Sequence, residues 1–283
     1  MNKRKAWEDK RDNPMRVHIL ILSWAPDREW LSFCLRSIQR FARGFSGVTV
    51  VYPTGDDSVM RPLCEQFGAT GRPQDEPPPP FGHLGQNLTK SRADLIVPVG
   101  TTHVWHFDSD CVLVADAEPG HYMRGDLPVL VHRRWEDAGQ ADCWREPTRR
   151  ALGWDPPFET MACMPIMYDV RVYAMVRQHV SAVHGVPFEQ YVMGCRPTWP
   201  YGYCEFNVLG GFVFAKAPEL CAPALVGPRP WSGLADNVRQ LWSHDNLTPE
   251  MRDWLEETIA HGERRPPPPP GPMTEQRRKL LGL

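Results

Sequence analysis

Apolar residues fall in short dense runs separated by helical stripes through the first part of the chain. Residues 16–23, Arg-Val-His-Ile-Leu-Ile-Leu-Ser, form a continuous apolar run, which predicts a strand buried on both faces. Trp30, Leu31, Cys34, Leu35, Ile38 and Phe41 recur at helical spacing and predict a helix over 29–42. Val48 to Tyr52 is a second β-branched run, closed by Pro53 and the turn Thr-Gly-Asp-Asp. A weaker helix is expected over 58–67, a stiff extended loop over 71–80, and another helix over 83–96. The segment His103-Val-Trp-His-Phe-Asp-Ser-Asp-Cys-Val-Leu-Val-Ala then reads as two short strands interrupted by acids.

The pattern is less regular further on. A strand is expected over 129–133, followed by a loop-rich stretch over 135–167. Tyr168, Val172, Met175, Val176, His179, Val180 and Val183 make a core-facing helical stripe, ended by Gly185 and Pro187. Leu209 to Ala215 is apolar and punctuated by glycine, and reads as a strand. Thr248-Pro249-Glu250 starts a helix with a capping hydroxyl, a first-turn proline and an acid at the positive end of the dipole; it ends near Gly262. Pro266–Pro270 is a polyproline segment, and residues 274–283 are either a docking amphipathic helix or a free tail. No internal repeat is present.

Strands alternating with helices predict βαβ units and a mostly parallel sheet. Ligands of such sheets bind outside the carboxyl ends of the strands, which puts Ser23–Asp27, Pro53–Asp57 and Asp108–Asp110 on one functional rim.

Composition narrows the class. The chain has 283 residues, enough to bury a core without disulfides or metals. Pro and Gly together make 52 residues, short of the proportion that marks a disordered chain. No apolar run is long enough for a membrane span, and the charged start Met1-Asn-Lys-Arg-Lys is no signal peptide. None of the eight cysteines forms a C-x-x-C pair, which argues against a zinc ribbon; they are expected as buried thiols in a reducing cytoplasm. Net charge is −2 but uneven: residues 1–16 carry six basic against three acidic side chains, and 264–283 five against one. An acidic body with two basic ends points either to solvated tails or to a polyanionic partner.

The sharpest chemical signal is Asp108-Ser109-Asp110 after an apolar strand. Two carboxylates two residues apart can face one hard divalent cation, Mn²⁺ or Mg²⁺, which keeps part of its shell for phosphate oxygens and neutralises a leaving diphosphate. Around it, Gly82-His-Leu-Gly-Gln86-Asn-Leu-Thr-Lys90, then Val104-Trp-His-Phe-Asp108-Ser-Asp110, and later Trp199-Pro-Tyr-Gly-Tyr-Cys-Glu205-Phe-Asn207 resemble the pattern of GT-A-type nucleotide-sugar glycosyltransferases of the bacterial and phage branch. Phe107, Cys204 and Gly211 depart from the usual residues of those motifs.

The resemblance implies an α/β, Rossmann-like GT-A fold: a mostly parallel central sheet flanked by helices, with an irregular acceptor-side half. The expected organisation is a basic arm over 1–15, one catalytic domain over 16–262 and a Pro-rich basic tail over 263–283. Within the domain, 16–118 is the nucleotide-sugar half and 119–262 the acceptor half. It further implies a metal shell of Asp108, Asp110 and a late His244, the last read equally well as an exposed loop histidine. The rim Ser23, Trp24, Asp27 and Asp56, with Ser109, is expected to hold the nucleoside diphosphate. Gln86 and Lys90, four apart on one helix face, either reach the nucleotide or cap the sheet. His103 and His106 flank the acidic motif; His106, which alternates with Phe107 within a strand, is expected as a packed residue or one that supports the site from behind.

Glu205 lies among Tyr201, Tyr203 and Phe206, an apolar setting that raises a carboxyl pKa, and is the candidate general base of an inverting transfer; the alternative is a carboxylate that orients substrate. Glu189 and Asp245 are the fallback acids. Trp199, Tyr201 and Tyr203 are a candidate sugar-stacking platform, with Asn207 beside them on the acceptor side. The implied donor is a UDP-type sugar. The acceptor is a glycan, a protein, a small molecule, or a hydroxymethylated pyrimidine in phage-type DNA, the last fitting the basic ends. The rivals are a metal-dependent nucleotidyltransferase, disfavoured because residues 22–30 contain no glycine, and a non-catalytic binding module, disfavoured by the presence of both acids.

Overall fold

The computed structural model describes residues 15–75, 82–162, 164–197, 202–227, 236–241 and 247–269. Its centre is a five-stranded sheet in the order β3-β2-β1-β4-β8. The strands are β1 (Val17–Leu22), β2 (Val48–Pro53), β3 (Thr70–Gln74), β4 (His103–His106) and β8 (Ile166–Asp169). The first four run parallel, and only β8 is antiparallel, against β4. The expected α/β class with a mostly parallel sheet flanked by helices is therefore the observed one.

The apolar run of β1 is continuous because both faces are covered. Ile19 and Ile21 join one core with α1 (Arg28–Phe41) and α2 (Asp57–Gln66), through Leu31, Leu35, Ile38 and Met60. Leu20, between them, joins the opposite core with α5 (Arg171–His184) and α7 (Glu205–Lys216), through Val176, Val180, Leu209 and Val213. β4 repeats the alternation, Val104 to the second core and Trp105 to the first. The α3 helix (Gly82–Lys90) feeds Leu84 into the second core.

Around the central sheet lie β5 (Cys111–Leu113), paired antiparallel with β10 (Val238–Gln240), and β7 (Leu127–His132) between β6 (Met123–Arg124) and β9 (Ala222–Leu225). The helices α4 (Arg145–Leu152) and α6 (Phe188–Met193) complete the second core, and α8 (Pro249–His261) packs on the outer face of α1 through Trp30, Phe33 and Trp254. The α8 start is as expected: the Thr248 hydroxyl accepts from Met251 N at 3.2 Å. No helix among the described residues is long and apolar enough to cross a membrane.

Four expectations are corrected. Thr70–Gln74, inside the stretch that starts the expected loop, is the edge strand β3; an edge tolerates the missing N–H of Pro73. The expected helix over 83–96 stops at Lys90 and gives way to a short turn at Ala93–Leu95. Tyr168 belongs to β8 rather than to the following helix, its hydroxyl donating to Phe206 O at 3.0 Å. Leu209–Ala215 is helical, not extended. α7 is buried almost all round, so it carries no polar face to mark its period. Its glycines admit close neighbours: a Cβ at Gly210 would lie 2.2 Å from Thr160 Oγ1, and one at Gly211 2.9 Å from Leu152 Cδ1.

Candidate functional site at the carboxyl ends of the parallel strands

Because β1, β2 and β4 run parallel, the segments that follow them emerge on one edge of the sheet. After β1 comes Ser23-Trp24 and the short turn Ala25–Asp27, whose Ala25 N donates to Asp56 Oδ2 at 2.7 Å. Asp56, placed after β2, thus fixes the β1 loop. Asp27 is buried at the start of α1. After β4 the chain turns sharply: Cys111 N donates to Asp108 O at 3.0 Å, and the buried Cys34 thiol approaches the same carbonyl at 3.7 Å. Ser109 is buried within this turn, and Leu241 N, at the end of β10, donates to Asp110 O at 3.0 Å. The Asp-Ser-Asp turn is therefore held from α1 and from β10.

Three elements distant in sequence meet beside it. Lys90, the last residue of α3, places Nζ 3.1 Å from Asp108 Oδ1 and 3.4 Å from Glu205 Oε1, 5.0 Å from the centre of the Phe206 ring. Asn87, one turn earlier, donates Nδ2–H to Tyr203 O at 2.6 Å, which ties α3 to the segment leading into α7. Glu205 is the first residue of α7 and is 5% exposed. Burial raises its pKa; Lys90 opposes this and Asp108 adds to it. Burial works against the charge of Lys90, but Asp108 and Glu205 outweigh it and hold its pKa above the ordinary lysine value.

His106 lies beneath the cluster, its Nε2 2.6 Å from Tyr173 Oη. Burial, with Lys90 adding, keeps it neutral, so the cluster's positive charge is Lys90 alone among these groups. His103 is also buried, its Nδ1 3.0 Å from Thr102 Oγ1. Both histidines are packed, which for His106 is one of its two expected roles.

Next to this charged cluster is a pocket that opens to solvent, lined by Leu22 and Ser23, Val51 and Tyr52, Gln74, and the α3 residues Gly85, Gln86 and Thr89. Gln86 and Lys90 thus separate: one faces the pocket, the other the carboxylates. The pocket residues outside the sequence reading are Leu22, Val51 and Tyr52 of β1 and β2, and Gln74, Gly85 and Thr89 of β3 and α3. Gln74 was hidden by the reading of its strand as loop; the signal that finds it is the βαβ alternation, which calls for a strand after α2.

The structure brings together Ser23, Gln86, Lys90, Asp108 and Glu205, with Ser109 and Asp110 in the same turn and Asp56 behind the β1 loop. Tyr203 and Asn207 sit inside the protein. Tyr203 is 1% exposed, with its hydroxyl 3.4 Å from Ser91 Oγ; Asn207 is fully buried, accepting from Thr160 N at 2.6 Å. Glu189 pairs with Arg92 at 3.5 Å, away from the cluster. His244, Asp245, Trp199 and Tyr201 lie outside the described residues.

Among the described residues no group of three or more His, Cys, Asp or Glu side chains is set to hold a metal ion. The donors of the turn nevertheless fit a hard divalent cation in kind: Asp108 and Asp110 offer carboxylate oxygens, the Asp108 Oδ1 facing the Lys90 ammonium and the Asp110 Oδ1 lying 3.9 Å from Cys111 Sγ.

No protein-family model matches the chain, and no curated protein matches it. Among solved structures it is similar to apo mouse xyloside xylosyltransferase 1, with 13% identity over 74% of this chain and 85% of that one, TM-score 0.37. It is likewise similar to 4-diphosphocytidyl-2C-methyl-D-erythritol synthase from Anaerococcus prevotii DSM 20548, with 10% identity over 75% and 88%, TM-score 0.42. The functional reading rests on the site itself.

Proposed function

We propose that the protein is a glycosyltransferase that moves a sugar from a nucleoside diphosphate sugar, a UDP-type donor, to an acceptor hydroxyl. The observation that carries this reading is the pairing of a neutral pocket with a carboxylate–ammonium cluster on one edge of a parallel sheet, where ligands of such sheets bind. The neutral pocket suits the nucleoside, and the charged cluster suits the diphosphate and the reacting sugar. The motif resemblance of Gln86 to Lys90, Asp108 to Asp110 and Glu205 points the same way.

In this reading Asp108 and Asp110 hold Mn²⁺ or Mg²⁺, with His244 as a further ligand; the cation supplies charge neutralisation for the departing diphosphate. Lys90 adds a positive charge on the same side. Glu205 accepts the proton of the acceptor hydroxyl as its oxygen bonds to the anomeric carbon. The bond from that carbon to the diphosphate oxygen breaks with its electron pair, so the centre inverts. A raised pKa brings Glu205 nearer neutrality, where a general base works best. Ser109, Trp24 and Asp27 frame the nucleoside side. Tyr203 and Asn207 act through the shape of the acceptor side, and Trp199 and Tyr201 are its candidate stacking residues. The acceptor is a glycan, a protein, a small molecule or a hydroxymethylated pyrimidine in DNA. The DNA acceptor fits the basic ends.

The test is calorimetric titration with UDP, with and without Mn²⁺, followed by a donor-hydrolysis screen across UDP-, GDP-, CMP- and TDP-sugars. Expected are metal-dependent UDP binding, its loss in Asp110→Asn, and release of UDP from a UDP-sugar. Absence of metal-dependent nucleotide binding overturns the transferase reading, and release of pyrophosphate from a nucleoside triphosphate replaces it with nucleotidyl transfer.

A further inference from the structure

The pocket beside the charged cluster is lined by no acid or base. Its apolar walls come from Leu22 and Val51, and the one ionisable side chain, Tyr52, gives its hydroxyl hydrogen to Asp57 at 2.9 Å. What remains is neutral hydrogen-bonding capacity, and it is incompletely used. The Ser23 Oγ is buried without a hydrogen-bond partner among the described residues. The carboxamide of Gln74, at the end of β3, makes one side-chain hydrogen bond: Nε2 donates to Thr89 Oγ1 at 2.7 Å. Thr89 is itself 4% exposed on α3, so this bond fixes the carboxamide to a rigid element.

One Nε2 hydrogen and Oε1 are left over. The buried Ser23 hydroxyl is a costly arrangement unless a ligand completes it, and the half-buried Gln74 carboxamide beside it has hydrogen-bonding capacity to spare. Both are complementary to a planar imide, a ring N–H flanked by two carbonyls. Oε1 accepts from the ring N–H, the second Nε2 hydrogen donates to one carbonyl, and Ser23 Oγ donates to the other.

We infer that Gln74 is the residue that reads the donor's base, held in orientation by Thr89, and that the pair selects an imide-edged pyrimidine, uracil or thymine. This rests on the proposed use of a nucleoside diphosphate sugar. Cytosine presents the opposite edge, a ring nitrogen acceptor beside an exocyclic amine. With Nε2 turned to Thr89, as found, Oε1 meets the cytosine ring nitrogen acceptor to acceptor. Thr89 is accordingly a positioning residue, acting on selectivity through Gln74.

The experiment is calorimetric titration of the full chain with UDP, CDP and GDP in the presence of Mn²⁺, for wild type, Gln74→Leu, Gln74→Glu and Thr89→Val. Wild type is expected to prefer UDP over CDP by about 10- to 100-fold, the range a two-bond amide edge gives in base discrimination. Gln74→Leu, close in volume, removes both bonds and should bring the two ligands to similar, weakened affinities. Gln74→Glu keeps the shape and replaces a donor by an acceptor, so it should also lose the preference; it decides the question if the Leu variant misfolds. Thr89→Val should lose selectivity by more than it loses UDP affinity, which a merely structural threonine would not do. If Gln74→Leu or Gln74→Glu folds and keeps the wild-type preference, this inference is wrong while the transferase reading stands. If wild type binds no nucleoside diphosphate at all, the transferase reading fails and the inference falls with it.

Discussion

The two ends of the same parallel strands treat their polar groups in opposite ways. At the amino ends, His18 is buried against Thr49, with Nε2 2.9 Å from Oγ1, and its Nδ1 lies 3.4 Å from Ser46 Oγ. Ser46 Oγ also donates to Val17 O at 3.0 Å, and Thr102 Oγ1 accepts from Arg16 N at 2.8 Å. Every one of these groups is satisfied by the protein. At the carboxyl ends, among the described residues, Ser23 Oγ has no partner, the Gln74 carboxamide makes one bond, and a single ammonium serves two carboxylates. Open groups also occur on β4 itself, at Trp105 Nε1 and His106 Nδ1, so incompleteness is not confined to the rim. Charge is balanced differently: at the amino end of β4 the buried Asp169, opposite His103, has its own partner in Arg171 at 2.6 Å, whereas at the carboxyl end one ammonium faces two carboxylates. Two carboxylates sharing one ammonium are costly to folding, and such an imbalance at the ligand-binding end is what a site completed by a cationic or metal-bearing substrate requires.

The largest effect should come from breaking the charged end chemically without disturbing its shape. Glu205→Gln keeps the volume and hydrogen-bonding outline but removes the proton acceptor. Turnover is expected to fall by about 10²- to 10⁴-fold with UDP affinity near wild type. Normal turnover, or a product that retains the donor's anomeric configuration, would assign Glu205 to orientation instead. Lys90→Met breaks the same end energetically. It leaves Glu205 charged and buried without its partner, and loss of one member of a buried pair costs about 3–5 kcal/mol. The double variant Lys90→Met/Glu205→Gln should recover much of that loss in chemical denaturation, because a neutral amide needs no counter-ion. Full stability in Lys90→Met alone would mean that the carboxylates are solvated in solution and that the contrast between the two ends is weaker than the distances suggest.

Most of the charged end was legible in the sequence, and most of the neutral pocket was not. Asp108 and Asp110 are marked by an apolar strand on each side, and parallel topology alone puts them on the rim with Ser23 and Asp56. Glu205 was found by its aromatic neighbours, yet its element was misread. Leu209–Ala215 has the β-branched and aromatic residues of a strand, and a helix apolar on all sides shows no 3.6-residue period. Gln74 was missed because Pro73 and the prolines beyond it made β3 look like loop. In each case tertiary packing overrode a local signal, and the glycines of α7 record where. In an exposed helix, Gly→Ala stabilises by about 1 kcal/mol. At Gly210 the new Cβ would meet Thr160 Oγ1 at 2.2 Å and its Cβ at 2.5 Å, on a branched side chain already bonded to Phe206 O. The clash should win. Gly210→Ala is expected to destabilise by about 1–3 kcal/mol in chemical denaturation, and to lower turnover as well, because α7 carries Glu205. A stabilised Gly210→Ala protein would show that α7 is not pressed against the Thr160 segment.

At pH 7 the satisfied end shows no such effect, and what it contributes on acidification is a slope rather than a step. Burial, with Arg16 adding, pushes His18 down to about 4. In the unfolded chain the same imidazole titrates near 6.5. Above that value neither state binds the proton, and the group is indifferent to pH. Between about 6.5 and 4 the unfolded chain takes up a proton that the folded protein refuses, so stability falls as pH drops through this window. Below about 4 both states are protonated and the contribution levels off. Carboxylates add their own acid sensitivity in the lower part of the range, so the informative quantity is the difference between wild type and His18→Gln, which keeps polar contacts for Thr49 and Ser46 but cannot titrate. Denaturation midpoints at pH 7, 6, 5 and 4.5 should diverge, wild type losing more stability on acidification than the variant, with most of the divergence above pH 5, where few carboxylates titrate. Parallel curves would mean that His18 accepts its proton in the folded state, and that the amino end of the sheet is more open to water than its hydrogen bonds indicate.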